Sequence, residues 1–126
     1  MTKVMIALAV LLSAQAAFAG PIVEVFTCEL NEGKTIEDVN KMMGTFKAMT
    51  DKAGIADSYT AHVGFQQVPI KTNSVNWIGI APSAQDYGKA IDWFTGTADG
   101  IKFAALYSSI YTCDNSFMTF ITASSK

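Results

Sequence analysis

The chain has only two cysteines, at the two ends of what reads as its folded part. Cys28 lies near the end of an early strand-like segment, and Cys113 lies just before a late one. In an exported chain such a pair favours a disulfide, because an oxidising compartment lets it persist. A bridge closing about 85 residues contributes on the order of 4 kcal/mol in the chain-entropy model. A fold that makes it has to lay those two segments side by side. A free thiol pair and a metal site are the other readings of the cysteines. Two distant cysteines and one histidine, His62, do not form a closed ligand set, so no metal site is expected.

Export is read from the N-terminus. Lys3 precedes the apolar run Val4–Leu12, which is too short to span a bilayer, and small residues lead to Ala17-Phe18-Ala19. That is a signal peptide, residues 1–19, with cleavage after Ala19. An uncleaved anchor is the other reading. The residue directly after the cleavage site is Gly20 rather than cysteine, so neither a lipid anchor nor a stable membrane anchor is expected, and the protein is expected to be periplasmic or secreted. Residues 20–126 then form a single domain, large enough to bury a core without several staples.

Removing residues 1–19 removes Lys3 and leaves eight basic against eleven acidic residues, a net charge of about −3. There is no arginine, and the lysines are scattered. A nucleic-acid partner would need a basic face and usually the guanidinium fork, so none is expected.

The segment Ile22–Leu30 alternates Val23, Val25 and Thr27 on one face with Glu24, Phe26, Cys28 and Leu30 on the other. Both faces are largely apolar, as in a central strand covered on both sides. Glu24 is the exception. Charged residues are seldom fully buried, so an exposed strand start is the expected placement. A place at the mouth of the sheet, or a raised pKa, is the alternative.

After a turn at Asn31–Lys34, Thr35 caps a helix whose stripe is Ile36, Val39, Met42, Met43, Phe46, Met49 and Ala53, with Gly54 past its end. Helical spacing makes the three methionines core filler rather than a thioether site. Ser58–Phe65 alternates as a strand with His62 on its polar side, and Gln66–Asn73 reads as a loop around Pro69. Ser74–Ala81 is the next strand, with Asn76 and Trp77 on opposite faces. Ser83 caps a second helix with the stripe Tyr87, Ala90, Ile91 and Phe94, closed by Gly96. A break at Thr97–Gly100 precedes a third helix, Ile101–Ile110, with Ile101, Ala104, Ala105 and Leu106 turned inward. Thr112–Ser116 reads as a bulge or strand entry before the last strand, Phe117–Thr122.

The order β-α-β-β-α-(α)-β is the split β-α-β pattern of a ferredoxin-like α+β domain: a four-stranded antiparallel sheet with helices on one face. In that topology the first and last strands are antiparallel neighbours, which brings Cys28 beside Cys113.

That element order, with an extra helical turn before the last strand, resembles the dimeric α/β-barrel superfamily. The strings Val23-Glu24-Val25-Phe26-Thr27-Cys28 and Thr112-Cys113-Asp114 are also similar to small exported proteins of unassigned function from marine bacteria. The superfamily resemblance implies a homodimer, with two sheets packed face to face and a pocket between each sheet and its helices. The superfamily includes cofactor-free monooxygenases and haem-handling enzymes. None of its catalytic motifs maps onto this sequence.

Three functions follow as expectations. The first is a small-molecule site for an apolar or aromatic ligand, fitted by His62, Asn76, Trp77 and Glu24, with no cofactor. The second is a cofactor-free oxygenase or isomerase with His62 or Glu24 as general base, or a haem protein with His62 as axial ligand. For the base pair to cooperate, Glu24 and His62 must reach one cavity. The third is an interaction module with an exposed apolar patch and no cavity. A serine hydrolase is not supported, because no G-x-S-x-G occurs and nothing ties a serine to His62.

Overall fold

The computed structural model describes residues 20–114 and 119–121. The expected signal segment, residues 1–19, and parts of the expected last strand, residues 117, 118 and 122, lie outside them.

Strand β1 (Ile22–Leu30) alternates as its sequence does and occupies the sheet interior. It pairs antiparallel with β3 (Ile70–Ala81), Glu24 facing Gly79 and Phe26 facing Trp77. β3 pairs in turn with β2 (Thr60–Gln67). The other edge of β1 carries two short strands, β4 (Tyr111–Cys113) beside its end and β5 (Thr119–Ile121) beside its start. The two act as one interrupted return strand, so the sheet has four strand positions in the order β2-β3-β1-β4. This is the ferredoxin-like α+β fold, with the helices on one face.

Cys28 and Cys113 are direct register partners and are joined by a disulfide. The junction is tied further by backbone bonds from Asp114 N to Thr27 O and from Asn31 N to Ile110 O.

Helix α1 (Ile36–Ala53) opens with a capping box. Thr35 accepts from the Asp38 amide, and the Asp38 carboxylate accepts from the Thr35 amide, which holds Asp38 below the usual carboxylate range. Gly54 ends the helix in the left-handed conformation (φ 70°). Val39, Met42 and Phe46 are buried, and so is Thr50, whose hydroxyl bonds back to Phe46 O and thereby tolerates the core.

Helices α2 (Ala84–Gly96) and α3 (Ala98–Ile110) depart from the periodic reading. Gly96 does not take the left-handed form; Thr97, in extended conformation, ends one helix and starts the other. Its hydroxyl donates to Trp93 O and accepts from Gly100 N. The expected break at 97–100 is therefore a single residue. Gly100 sits where a Cβ would overlap Trp93 O and the Phe94 backbone, so the two helices meet at closer range than any larger residue permits. Trp93 and Phe103 are buried in the core, while Ile101 and Ala105 are exposed, contrary to their stripe, and Ile91 is partly exposed at the cavity wall.

A second departure is the loop expected at 66–73. β2 and β3 continue through it as a two-stranded hairpin, turning at a cis Val68–Pro69 peptide. Val68 and Ile70 at its tip are exposed, and Lys71–Asn73 are exposed as well. This tip meets no core, so no burial pattern marks it in the sequence.

If the bridge closes the domain, Cys28→Ser lowers unfolding free energy by a few kcal/mol, up to about 4 kcal/mol. Urea unfolding of wild type with and without reductant checks this; identical midpoints would refute it.

Candidate functional site

Between the sheet and the three helices lies a cavity of about 650 Å³. Its walls are mainly rings from every layer: Phe46 of α1, Trp77 of β3, Tyr87 and Trp93 of α2, and Phe103 and Tyr107 of α3. Phe46 stacks edge-on against Trp77 at 5.3 Å between centroids and lies 5.0 Å from Phe103, while Tyr107 meets Trp77 at 5.5 Å. Such edge-to-face and tilted contacts fix ring orientation as well as burying area.

Glu24 projects from β1 into this apolar space and is only 6% exposed. The expected placement at an exposed strand start is thus corrected: even-numbered residues of β1 face the helices, and Glu24 goes with Phe26 and Cys28. A buried carboxyl group has to be hydrogen-bonded. Oε1 accepts from the Tyr59 hydroxyl, and Oε2 accepts from the Tyr87 hydroxyl at 2.8 Å. Tyr59 in turn accepts from Trp77 Nε1 at 2.8 Å. Gly79 makes this possible. It is the register partner of Glu24, and a Cβ there would overlap the Tyr59 phenol and hydroxyl.

At the disulfide end, the Tyr107 hydroxyl donates to Cys113 Sγ at 2.9 Å. Tyr111 packs edge-on against Tyr107, 4.5 Å between centroids, and is 1% exposed. The Tyr107 hydroxyl is turned to sulfur, and Tyr111 Oη finds no hydrogen-bond partner among the described residues. Tyr111 also lines the cavity.

The sequence candidates divide by strand parity. Glu24 and Trp77 line the cavity. His62 pairs across from Ile78 and Asn76 from Gly64 and Thr27, all on the opposite sheet face. His62 is exposed there, so within one chain it does not meet Glu24. Tyr59, Tyr87, Tyr107 and Tyr111 were not singled out as site residues. Their signal was weak: Tyr59 sat in an alternating strand pattern and Tyr87 in a helical stripe. Among the described residues no three His, Cys, Asp or Glu side chains gather to hold a metal ion, and no helix is long and apolar enough to cross a membrane.

All four tyrosines are weaker acids than usual. Burial raises Tyr107 to about 12 from its ordinary 10.0. Burial raises Tyr59 and Tyr87 as well, with Glu24 adding to both, and it raises Tyr111. The fold thus favours neutral phenols. Their stabilising contribution is complete below pH 10 and is lost as pH rises from there through about 12, where folded Tyr107 ionises. Absorbance at 295 nm should accordingly show no phenolate in the native protein near pH 10, and ionisation should coincide with loss of near-ultraviolet circular dichroism. Free titration of two or more tyrosines at pH 10 in intact protein would contradict this burial.

No protein-family model matches the sequence, and no curated protein matches it either. Solved structures do. SnoaB, a cofactor-independent oxygenase from Streptomyces nogalater, superposes with a TM-score of 0.59 at 10% identity, covering 85% of this chain and 97% of that one. A conserved protein from Methanosarcina mazei Go1 gives 0.51 at 12% identity, covering 82% and 91%. A dimeric ferredoxin-like protein of unknown function from Bacteroides fragilis gives 0.49 at 13% identity, covering 82% and 98%. At these identities the likeness concerns the fold alone.

Proposed function

We propose that this chain is an exported protein that holds a small aromatic or apolar molecule in the sheet–helix cavity and works as a homodimer. The observation that carries the ligand role is the cavity itself: a space of about 650 Å³ walled by rings, with one buried carboxyl group held by two phenols. Small-molecule sites are mostly apolar concavities with a few placed polar groups, and this one has that make-up. The export role rests on residues 1–19 and is in keeping with the Cys28–Cys113 disulfide.

Trp77 and Trp93 are the two tryptophans of the chain, and both line the cavity. Intrinsic fluorescence therefore reports occupancy. A neutral aromatic probe such as 1-naphthol is expected to perturb it saturably. Ala90→Phe, which places a ring into the cavity from α2, should abolish the response while far-ultraviolet circular dichroism stays the same. An unaltered response in that variant would remove the cavity as the site.

The homodimer reading is supported by the other sheet face. Val23 pairs across from Ile80 and Val25 from Ile78, forming a half-buried apolar centre with His62 and Asn76 on the same face. The helices lie on the opposite side, so a second copy would cover this centre. Val25→Asp is expected to convert a dimer to a folded monomer by native mass spectrometry; a monomeric wild type would end this part of the reading.

Glu24 supports one further reading, an enzyme of the cofactor-free oxygenase or isomerase type. A carboxyl group in an apolar, ring-lined cavity suits removal of a proton from an acidic carbon. SnoaB shares the fold and is such an oxygenase, at 10% identity. Substrate-dependent oxygen uptake that disappears in Glu24→Gln would favour this reading over simple binding.

A further inference from the structure

No lysine or histidine among the described residues pairs with Glu24. Its oxygens accept from the phenols of Tyr59 and Tyr87, both neutral donors, and no ion pair involving it occurs among the described residues. Four of the lysines pair with carboxylates at the protein surface, each lysine side chain at least half exposed. No described residue lining the cavity is basic, and Asp114 adds a second acid to the lining. A carboxyl group taken out of water is normally matched by a charge partner as well as by hydrogen bonds. Here the described residues supply the hydrogen bonds and no charge partner.

The space beside it has the character that a cation favours. Aromatic faces carry negative electrostatic potential and attract ammonium groups, most strongly where water is excluded. Trp77, Phe46, Phe103, Trp93 and Tyr87 surround the cavity that Glu24 enters. Each Glu24 oxygen has two lone pairs, of which the tyrosines occupy one, so acceptor capacity remains for N–H donors. Independently, Tyr111 Oη is buried on the same cavity beside the Tyr107 phenol, without a hydrogen-bond partner of good geometry among the described residues, and a buried hydroxyl calls for one.

From these observations we propose that the cavity selects an organic cation: a protonated primary or secondary amine on an aromatic or apolar body, its N–H groups on Glu24, with a second polar atom reaching Tyr111. This deepens the ligand-binding reading above and rests on it. The amine provides the missing counter-charge, the rings hold both its charge and its hydrocarbon body, and Tyr111 marks where the ligand's far end is polar.

The test uses three probes with one body and different heads: 4-phenylbutylamine, 4-phenylbutan-1-ol and 4-phenylbutyrate, titrated into mature wild-type protein at pH 7 with tryptophan fluorescence as the readout. The amine should bind at least about tenfold tighter than the alcohol, and the carboxylate weakest of all. In Glu24→Gln the amine and the alcohol should come within about twofold of each other, since the charge difference is then no longer read. Should that variant fail to fold, the wild-type ranking decides alone. Alcohol binding as tightly as amine would overturn the cation inference and leave the aromatic-ligand reading standing. Saturable binding by none of the three, nor by 1-naphthol, would overturn both.

Discussion

An acid on the central strand, placed beneath the helix layer, obliges several distant parts of the chain to come to it. Glu24 of β1 is met by Tyr59 from the segment before β2, and through Tyr59 by Trp77 of β3. From the other side it is met by Tyr87 of α2. Leaving such a group without partners costs far more than one net hydrogen bond returns, so the arrangement is coupled: shifting any one donor exposes the penalty of the buried acid. Gly79 belongs to the same device although it bonds nothing there, because its missing side chain is the room Tyr59 occupies.

The rest of the interior is arranged around the space this network opens. The rings of α1, α2 and α3 do not close over Glu24; they leave a chamber with an acid near β3 and, near the disulfide, a phenol without a well-formed hydrogen bond among the described residues. A core whose only task was stability would be expected to fill that volume, since interiors are normally close-packed and buried hydroxyls are normally bonded. The disulfide stands at the chamber wall, where Cys113 receives the Tyr107 hydroxyl. The strand pairing that closes the domain is thereby also part of the site's architecture.

The two sheet faces carry different side chains. One carries Glu24 and Trp77 into the chamber; the other carries His62 and Asn76 next to Val25 and Ile78. Strand alternation enforces this separation, since neighbouring residues cannot share a face. It is why His62 and Glu24, two strands apart in one sheet, do not reach one cavity within one chain.

Much of the framework was legible in the sequence because its causes are local. Period-two alternation placed β1 and the core of β3, a capping pair and a terminal glycine delimited α1, and the order of elements made Cys28 and Cys113 neighbours. The division of Asn76 from Trp77 followed from parity in the same way. What remained illegible depends on which groups meet across the chain. Strand alternation could not say that the Glu24 side would be roofed by helices, nor that two phenols 28 positions apart in sequence, Tyr59 and Tyr87, would supply its bonds. The stripe of α2 rightly turned Tyr87, Ala90 and Phe94 inward but missed Trp93, and that of α3 pointed to Ile101, which is exposed, and missed Phe103, which is buried. Secondary structure and its order are set by neighbours within a few residues; the burial of an acid, the rotation of a helix and the chamber they enclose are set by tertiary contacts, which only the folded chain brings together.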